Sequence, residues 1–166
     1  MSLDHLWAGW RASYVESTGA AAPIEGECVF CASLASPASD EDRHVVWSSE
    51  AMVAMLNAYP YSSGHLLVMP RRHVRELEDL TGDEAMALWQ AVHRSAAALK
   101  AAYQPEGLNL GVNLGRAAGA GIPAHLHVHV VPRWIGDTNF MTTAAGVRVL
   151  PEALAVTWQR VRAAWV

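Results

Sequence analysis

Residues 125–134 read HLHVHVVPRW, with histidines at 125, 127 and 129 alternating with Leu126, Val128 and Val130. Period two is the mark of a β-strand whose two faces differ. Residues two apart share a face, so the three imidazoles cover roughly 13 Å of one side. The Leu and Val side implies a sheet laid on an apolar core, and Pro132 closes the run.

Working outward, other short apolar runs supply partners for that strand. RHVVWSS (43–49) and AMVAMLN (51–57) predict two strands around a tight turn at Ser49 and Glu50. HLLVMP (65–70) follows the turn-rich AYPYSSG, and GLNLGVNLG (107–115) precedes the loop RAAGAGIPA. Between them DLTGDEAMALWQAVHRSAAALKAAY reads as one long helix. Thr81 is its N-cap, and Glu84 completes a capping box. Met86, Trp89, Val92, Ala96 and Leu99 recur at helical spacing and are expected to face the core. The tail predicts a short strand and a helix starting near Pro151. Residues 17–27 and 32–42 read as loops flanking Cys28 and Cys31. The fold class is α+β, with an antiparallel sheet of about five strands, one long central helix and a C-terminal helix.

The 166 residues suit one domain, divided into an N-terminal extension (1–27), a motif-bearing core (28–140) and a C-terminal strand and helix (141–166). A net charge of −4 speaks against nucleic acid or an anionic membrane surface as partner. No run is long and apolar enough for a membrane helix. Asp4, Arg11 and Glu16 sit where a signal peptide would be apolar, so a cytoplasmic location is expected.

Three imidazoles on one strand face allow three readings. They can form a solvated polar face, since half-exposed strands alternate by nature. They can hold a catalytic metal, given a third ligand and an open position. Or one can act as a nucleophile toward phosphorus, because neutral imidazole forms covalent intermediates near pH 7 and a neighbouring imidazole can serve the leaving oxygen. Gly119 and Gly121, just upstream, favour the last, because glycine lets backbone amides approach an anion.

HLHVHVV matches the H-φ-H-φ-H-φ-φ pattern (φ apolar), and the chain resembles the histidine-triad superfamily. GVNLGRAAGAGIPAHLHVHVVPRWIGDTNFM, ECVFC, LNAYPYSSGHLLVMPRRHV and LWAGWR are similar to its bacterial branch of dinucleoside polyphosphate phosphorylases and hydrolases. The resemblance implies a five-stranded antiparallel sheet, usually doubled in a homodimer or higher homo-oligomer. It implies that His127 is the nucleophile, that His129 contacts phosphate oxygens and that His65 completes the site. Asn57 then lies near the ribose and Asn113 near phosphate. His5, His44 and His93 match nothing. The implied reaction is phosphorolysis of diadenosine tetraphosphate, with inorganic phosphate as acceptor. The alternatives are hydrolysis, phosphoramidase action, a zinc hydrolase and a non-catalytic nucleotide sensor. One departure stands out. Many members carry Gly-Gln-Ser or Gly-Gln-Thr before the triad, where this chain has Ala120-Gly121-Ile122. The Gly119 and Gly121 amides, Arg116 and Asn139 are the candidates to replace that donor.

A lone C-x-x-C is open between buried thiols, a redox pair and half of a metal site. The resemblance adds His73 and His125, giving Cys28, Cys31, His73 and His125 as a closed structural zinc site.

Overall fold

The computed structural model describes residues 28–137 and 152–165. The expectations placed on Asn139, on LWAGWR and on a strand before Pro151 lie outside the described residues. Within them, helix α1 (Val29–Ala35) leads into strands β1 (Val45–Ser48), β2 (Met52–Leu56) and β3 (Leu66–Pro70). The long helix α2 (Gly82–Tyr103) precedes β4 (Gly107–Val112) and β5 (Val128–Arg133), and α3 (Leu154–Ala163) comes last. The five strands form one antiparallel sheet in the order β1-β2-β3-β5-β4. The histidine strand is thus inserted between β3 and the edge strand β4.

β2 and β3 are buried at every position because the sheet is covered on both faces. On one face α2 and α3 cover Val46, Leu56, Leu66, Val68, Val128 and Val130. On the other, Phe30 of α1 packs with Val45, Val53, Met55, Leu67 and Met69. Residues 32–35, expected as the start of a loop, instead belong to a seven-residue helix that uses Phe30 as its apolar anchor. α3 is tied across the sheet by Trp158 Nε1–H donating to the Val45 carbonyl at 2.8 Å and Arg162 donating to the Val46 carbonyl at 2.9 Å.

Thr81 and Glu84 form the expected capping box of α2. The predicted buried stripe is half right. Val92 and Leu99 are in the core, whereas Met86 and Trp89 are about 60% exposed. The sheet-facing stripe is Leu88, Ala91, Val92, Ser95, Ala98 and Leu99. At 100° per residue, Met86 and Trp89 fall off that stripe. Small Ala and Ser let the helix lie close to the sheet, so size and hydrophobicity misled the sequence reading. Strand β5 begins at Val128, three residues later than expected, so His125 and His127 precede the ladder and only His129 lies within it. α3 begins at Leu154, a few residues past Pro151.

The turn before His65 has no slack. Gly64 has φ of +82°, and a Cβ there would lie 2.9 Å from Tyr103, 3.0 Å from Leu99 and 3.2 Å from Pro132. Gly64→Ala is expected to destabilise the protein by at least about 2 kcal/mol, combining left-handed strain with overpacking. Gly82→Ala, at a position with nothing within 4 Å, is expected to be neutral or stabilising by up to about 1 kcal/mol. Urea unfolding of the two variants checks the contrast.

Candidate active site

His127 is buried, with its Nδ1 2.8 Å from the carbonyl oxygen of His125. A carbonyl only accepts, so Nδ1 carries the proton and Nε2 keeps its lone pair. The ring of Phe30 lies 5.3 Å away in an edge arrangement. Burial holds the His127 imidazole below its ordinary pKa, outweighing the opposite pull of the carbonyl. A neutral imidazole with a fixed, unprotonated Nε2 is a nucleophile at neutral pH.

His65 and His129 form a second defined unit. His65 Nδ1 accepts the backbone N–H of Tyr61 at 3.1 Å and lies 3.3 Å from Asn57 Nδ2. Asn57 Oδ1 accepts from the Tyr59 N–H at 2.9 Å, so its amide is oriented with Nδ2 as the donor. With two donors on Nδ1, His65 must carry its proton on Nε2. That proton is shared with His129 Nδ1 at 2.9 Å. His129 is left with its own proton on Nε2, a donor available to an acceptor oxygen. The Tyr61 ring stacks on His129 with centroids 5.9 Å apart.

Beside His129, β4 and β5 form the floor of a cavity of about 280 Å³. Register places Gly111 opposite His129, so β4 puts no side chain across the imidazole. Asn109 and Asn113 share that face, and Tyr61, Leu110, Val131, Arg133 and Asp137 complete the walls. The structure thus brings His65, His127, His129, Asn57 and Asn113 together. Arg116 opens a 3₁₀ turn between Gly115 and Gly119, both at positive φ, and neither it nor Gly119 and Gly121 lines this cavity. Sequence reasoning missed Asn109, Tyr61, Arg133 and Asp137. The signal was the alternation Asn109, Gly111, Asn113 in GLNLGVNLG, which puts all three on one strand face.

Cys28, Cys31, His73 and His125 form a separate cluster whose ligand atoms lie within 4.8 Å of one another. Cys28 Sγ is 3.3 Å from His125 Nδ1, and Cys31 Sγ is 3.3 Å from His73 Nδ1 and 3.6 Å from His125 Nδ1. Zn–S and Zn–N bonds at a tetrahedral angle separate S from N by about 3.6 Å. His125 Nε2–H donates to the Pro70 carbonyl at 2.9 Å, so the Nδ1 facing the sulfurs is unprotonated. The loop bearing His73 is fixed by Arg72, which pairs with Glu84 at 2.7 Å and donates to the Asp79 carbonyl. These four residues can hold a metal ion.

Burial, and secondarily His127 beside it, hold His129 near a pKa of about 4 against an ordinary 6.5. His65, His127 and Tyr61 are the titratable groups packed against it. Between those values the unfolded chain binds a proton at this position that the folded chain refuses. Stability is therefore full above pH 6.5 and falls as the pH drops toward 4. His129→Gln, which cannot titrate, should make that acid slope shallower in thermal unfolding monitored across this range, with His125 and His127 supplying the rest.

Residues 38–134 match the family profile described as the HIT domain. The AP-4-A phosphorylase of Mycobacterium tuberculosis is 41% identical over 169 aligned positions, covering 98% of this chain and 85% of that one. The bifunctional bis(5'-adenosyl)-triphosphatase/adenylylsulfatase FHIT of Arabidopsis thaliana is 35% identical over 108 residues, covering 64% of this chain and 59% of its own. A zinc-bound histidine triad family protein from Mycobacterium smegmatis superposes with a TM-score of 0.68 at 29% identity, covering 84% of this chain and 93% of that one. A hypothetical histidine triad nucleotide-binding protein from Sulfolobus tokodaii gives 0.64 at 30% identity, with coverages of 82% and 91%. With its five-stranded sheet and its paired imidazoles in place, the chain belongs to the HIT-domain family.

Proposed function

We propose that this protein transfers a nucleotidyl group from a dinucleoside polyphosphate, and that its reaction is phosphorolysis of diadenosine tetraphosphate to ADP and ATP. The observation that carries the chemistry is the 2.8 Å bond from His127 Nδ1–H to the His125 carbonyl, which leaves Nε2 as the attacking atom. The AP-4-A phosphorylase of M. tuberculosis, similar along nearly the whole chain, supports the substrate and the acceptor.

In the first step the His127 Nε2 lone pair attacks the α-phosphorus. A P–N bond forms, the P–O bond to the remaining phosphates breaks, and ATP departs. His129 Nε2–H binds a phosphate oxygen, and His65, held by Tyr61 and Asn57, keeps that proton on the correct nitrogen. In the second step an oxygen of inorganic phosphate attacks the same phosphorus, the P–N bond breaks, and ADP is released. Water in place of phosphate would give AMP. Asn113 is placed to donate to phosphate oxygens, and Asn57 serves the ribose and His65 together. Arg116, Asn139 and the Gly119 and Gly121 amides belong to the acceptor side of this proposal. The catalytic unit is a homodimer or higher homo-oligomer of single HIT domains spanning 1–166, working in the cytoplasm.

The Cys28, Cys31, His73 and His125 cluster suits zinc, which would tie α1 to the chain entering β5 as a structural staple. Its ligand set is closed, with no position for substrate.

With wild-type protein, diadenosine tetraphosphate should be consumed at a rate that rises and saturates with inorganic phosphate, yielding ADP plus ATP. AMP plus ATP at every phosphate concentration would make it a hydrolase on the same histidine. His127→Ala should lower turnover by at least about 10³-fold with the fold retained, since deletion of a nucleophile costs more than deletion of a positioning donor. Retention of a tenth of the wild-type rate would remove covalent catalysis at His127.

Elemental analysis of the purified protein should find about one zinc per chain, as four ligands at tetrahedral spacing require. Cys28→Ser should lower the thermal midpoint more than it lowers turnover per folded molecule, because metal binding is coupled to folding. Well-folded protein containing no zinc would dismiss the staple.

A further inference from the structure

The cavity between β4 and β5 extends beyond what the attacked phosphate needs. It begins at His129 and ends at Arg133 and Asp137, with Arg133 four residues along the strand, a run of about 13 Å. His127 is not part of its lining and lies on the opposite side of His129, against Phe30. Phosphoryl displacement places the attacking and leaving atoms roughly in line. The phosphates beyond the attacked one can run past His129 into this cavity, on the side of His129 away from His127.

The chemistry at the far end is specific. Arg133 grips both carboxylate oxygens of Asp137, at 2.5 and 2.7 Å, and the same carboxylate accepts the Trp134 N–H at 3.1 Å. The remaining fork of Arg133 donates to Asn109 Oδ1 at 2.7 Å. That bond fixes which end of the Asn109 amide is oxygen and leaves the two Nδ2 protons as donors at the cavity wall. The arginine and aspartate charges cancel, so this end offers little to a free polyanion and more to neutral hydroxyls. Tyr61, Leu110 and Val131 supply apolar wall between it and His129. A volume of about 280 Å³ suits one bulky group, not a whole dinucleotide.

We propose that this cavity is the subsite for the nucleoside that departs with the polyphosphate, and that Asn109, oriented by Arg133 and Asp137, binds that nucleoside's ribose hydroxyls through Nδ2. The assignment rests on nucleotidyl transfer through His127. It makes Asn109 a specificity residue for dinucleoside over mononucleoside polyphosphates, outside the histidine machinery.

The test compares diadenosine tetraphosphate with adenosine 5'-tetraphosphate, both with inorganic phosphate as acceptor. The two present the same adenylyl group and the same phosphates, and differ in the departing nucleoside. Wild-type protein should favour the dinucleotide in kcat/KM. Asn109→Ala and Asn109→Val both delete the donors, and valine also suits an edge strand. Each should cut that preference by about three- to tenfold, the range for a lost neutral hydrogen bond, with adenosine tetraphosphate turnover changed by no more than about twofold. An unchanged preference in folded variants, equal slowing of both substrates, or a wild type with no preference would overturn the subsite. Wild-type protein that turns over neither substrate would instead bring down the nucleotidyl-transfer reading, and the subsite with it.

Discussion

A neutral imidazole has one proton and two nitrogens, and the protein decides for each buried histidine which nitrogen holds it. It does so with partners that can play only one role. Carbonyls of Pro70 and His125 accept from His125 and His127, and the backbone N–H of Tyr61 donates to His65. These three bonds set the tautomers without further choice. His125 turns a lone pair to the sulfurs, His127 keeps one on Nε2, and His65 donates its Nε2–H to His129. Burial reinforces the pattern, because it depresses the pKa of His125, His127 and His129 and so keeps them neutral.

His125 joins two sets of contacts in one residue. Its side chain faces Cys28 and Cys31, and its carbonyl sets the tautomer of His127. Phe30, between the two cysteines in sequence, lies 5.6 Å from the His125 ring and 5.3 Å from that of His127. The short helix α1 is therefore anchored by its apolar residue on His127 and on His125, and His125 is also approached by both cysteines. The cysteine cluster and His127 are thus linked by the packing of Phe30 and by the carbonyl of His125.

Much of this was legible in HLHVHVVPRW because alternation fixes which residues share a face, whatever the fold around them. The strands, the capping box at Thr81 and Glu84, and the meeting of Cys28, Cys31, His73 and His125 came from pattern and resemblance. The tautomers were not legible, since they depend on carbonyls of residues such as Pro70, fifty-five positions away from His125. Nor were Asn109 and Arg133. Their contact exists only because β4 and β5 pair with Gly107 opposite Arg133 and Asn109 opposite Val131. Met86 and Trp89 misled because helix periodicity permits several stripes, and close packing selected the one made of small residues.

The departure at Ala120-Gly121-Ile122 acquires a physical sense from the same sheet. A glutamine or hydroxyl there would deliver a donor from the loop. In this chain Ile122 packs instead against the apolar cluster under α1, beside Cys28 and Leu34. A hydroxyl at that position would have its polar end directed at a core, whereas a side chain at Gly121, the glutamine position, would meet nothing within 4 Å. Donors on the strand floor do not carry that penalty. Asn109 and Asn113 project from an edge strand that is largely exposed, where an unsatisfied amide is hydrated until a ligand arrives. Donors carried on a strand also have their spacing fixed at the strand repeat, and the glycine between these two puts no β4 side chain over His129. A site built this way measures the length of the group lying along it, and so distinguishes substrates by the portion beyond the attacked phosphate.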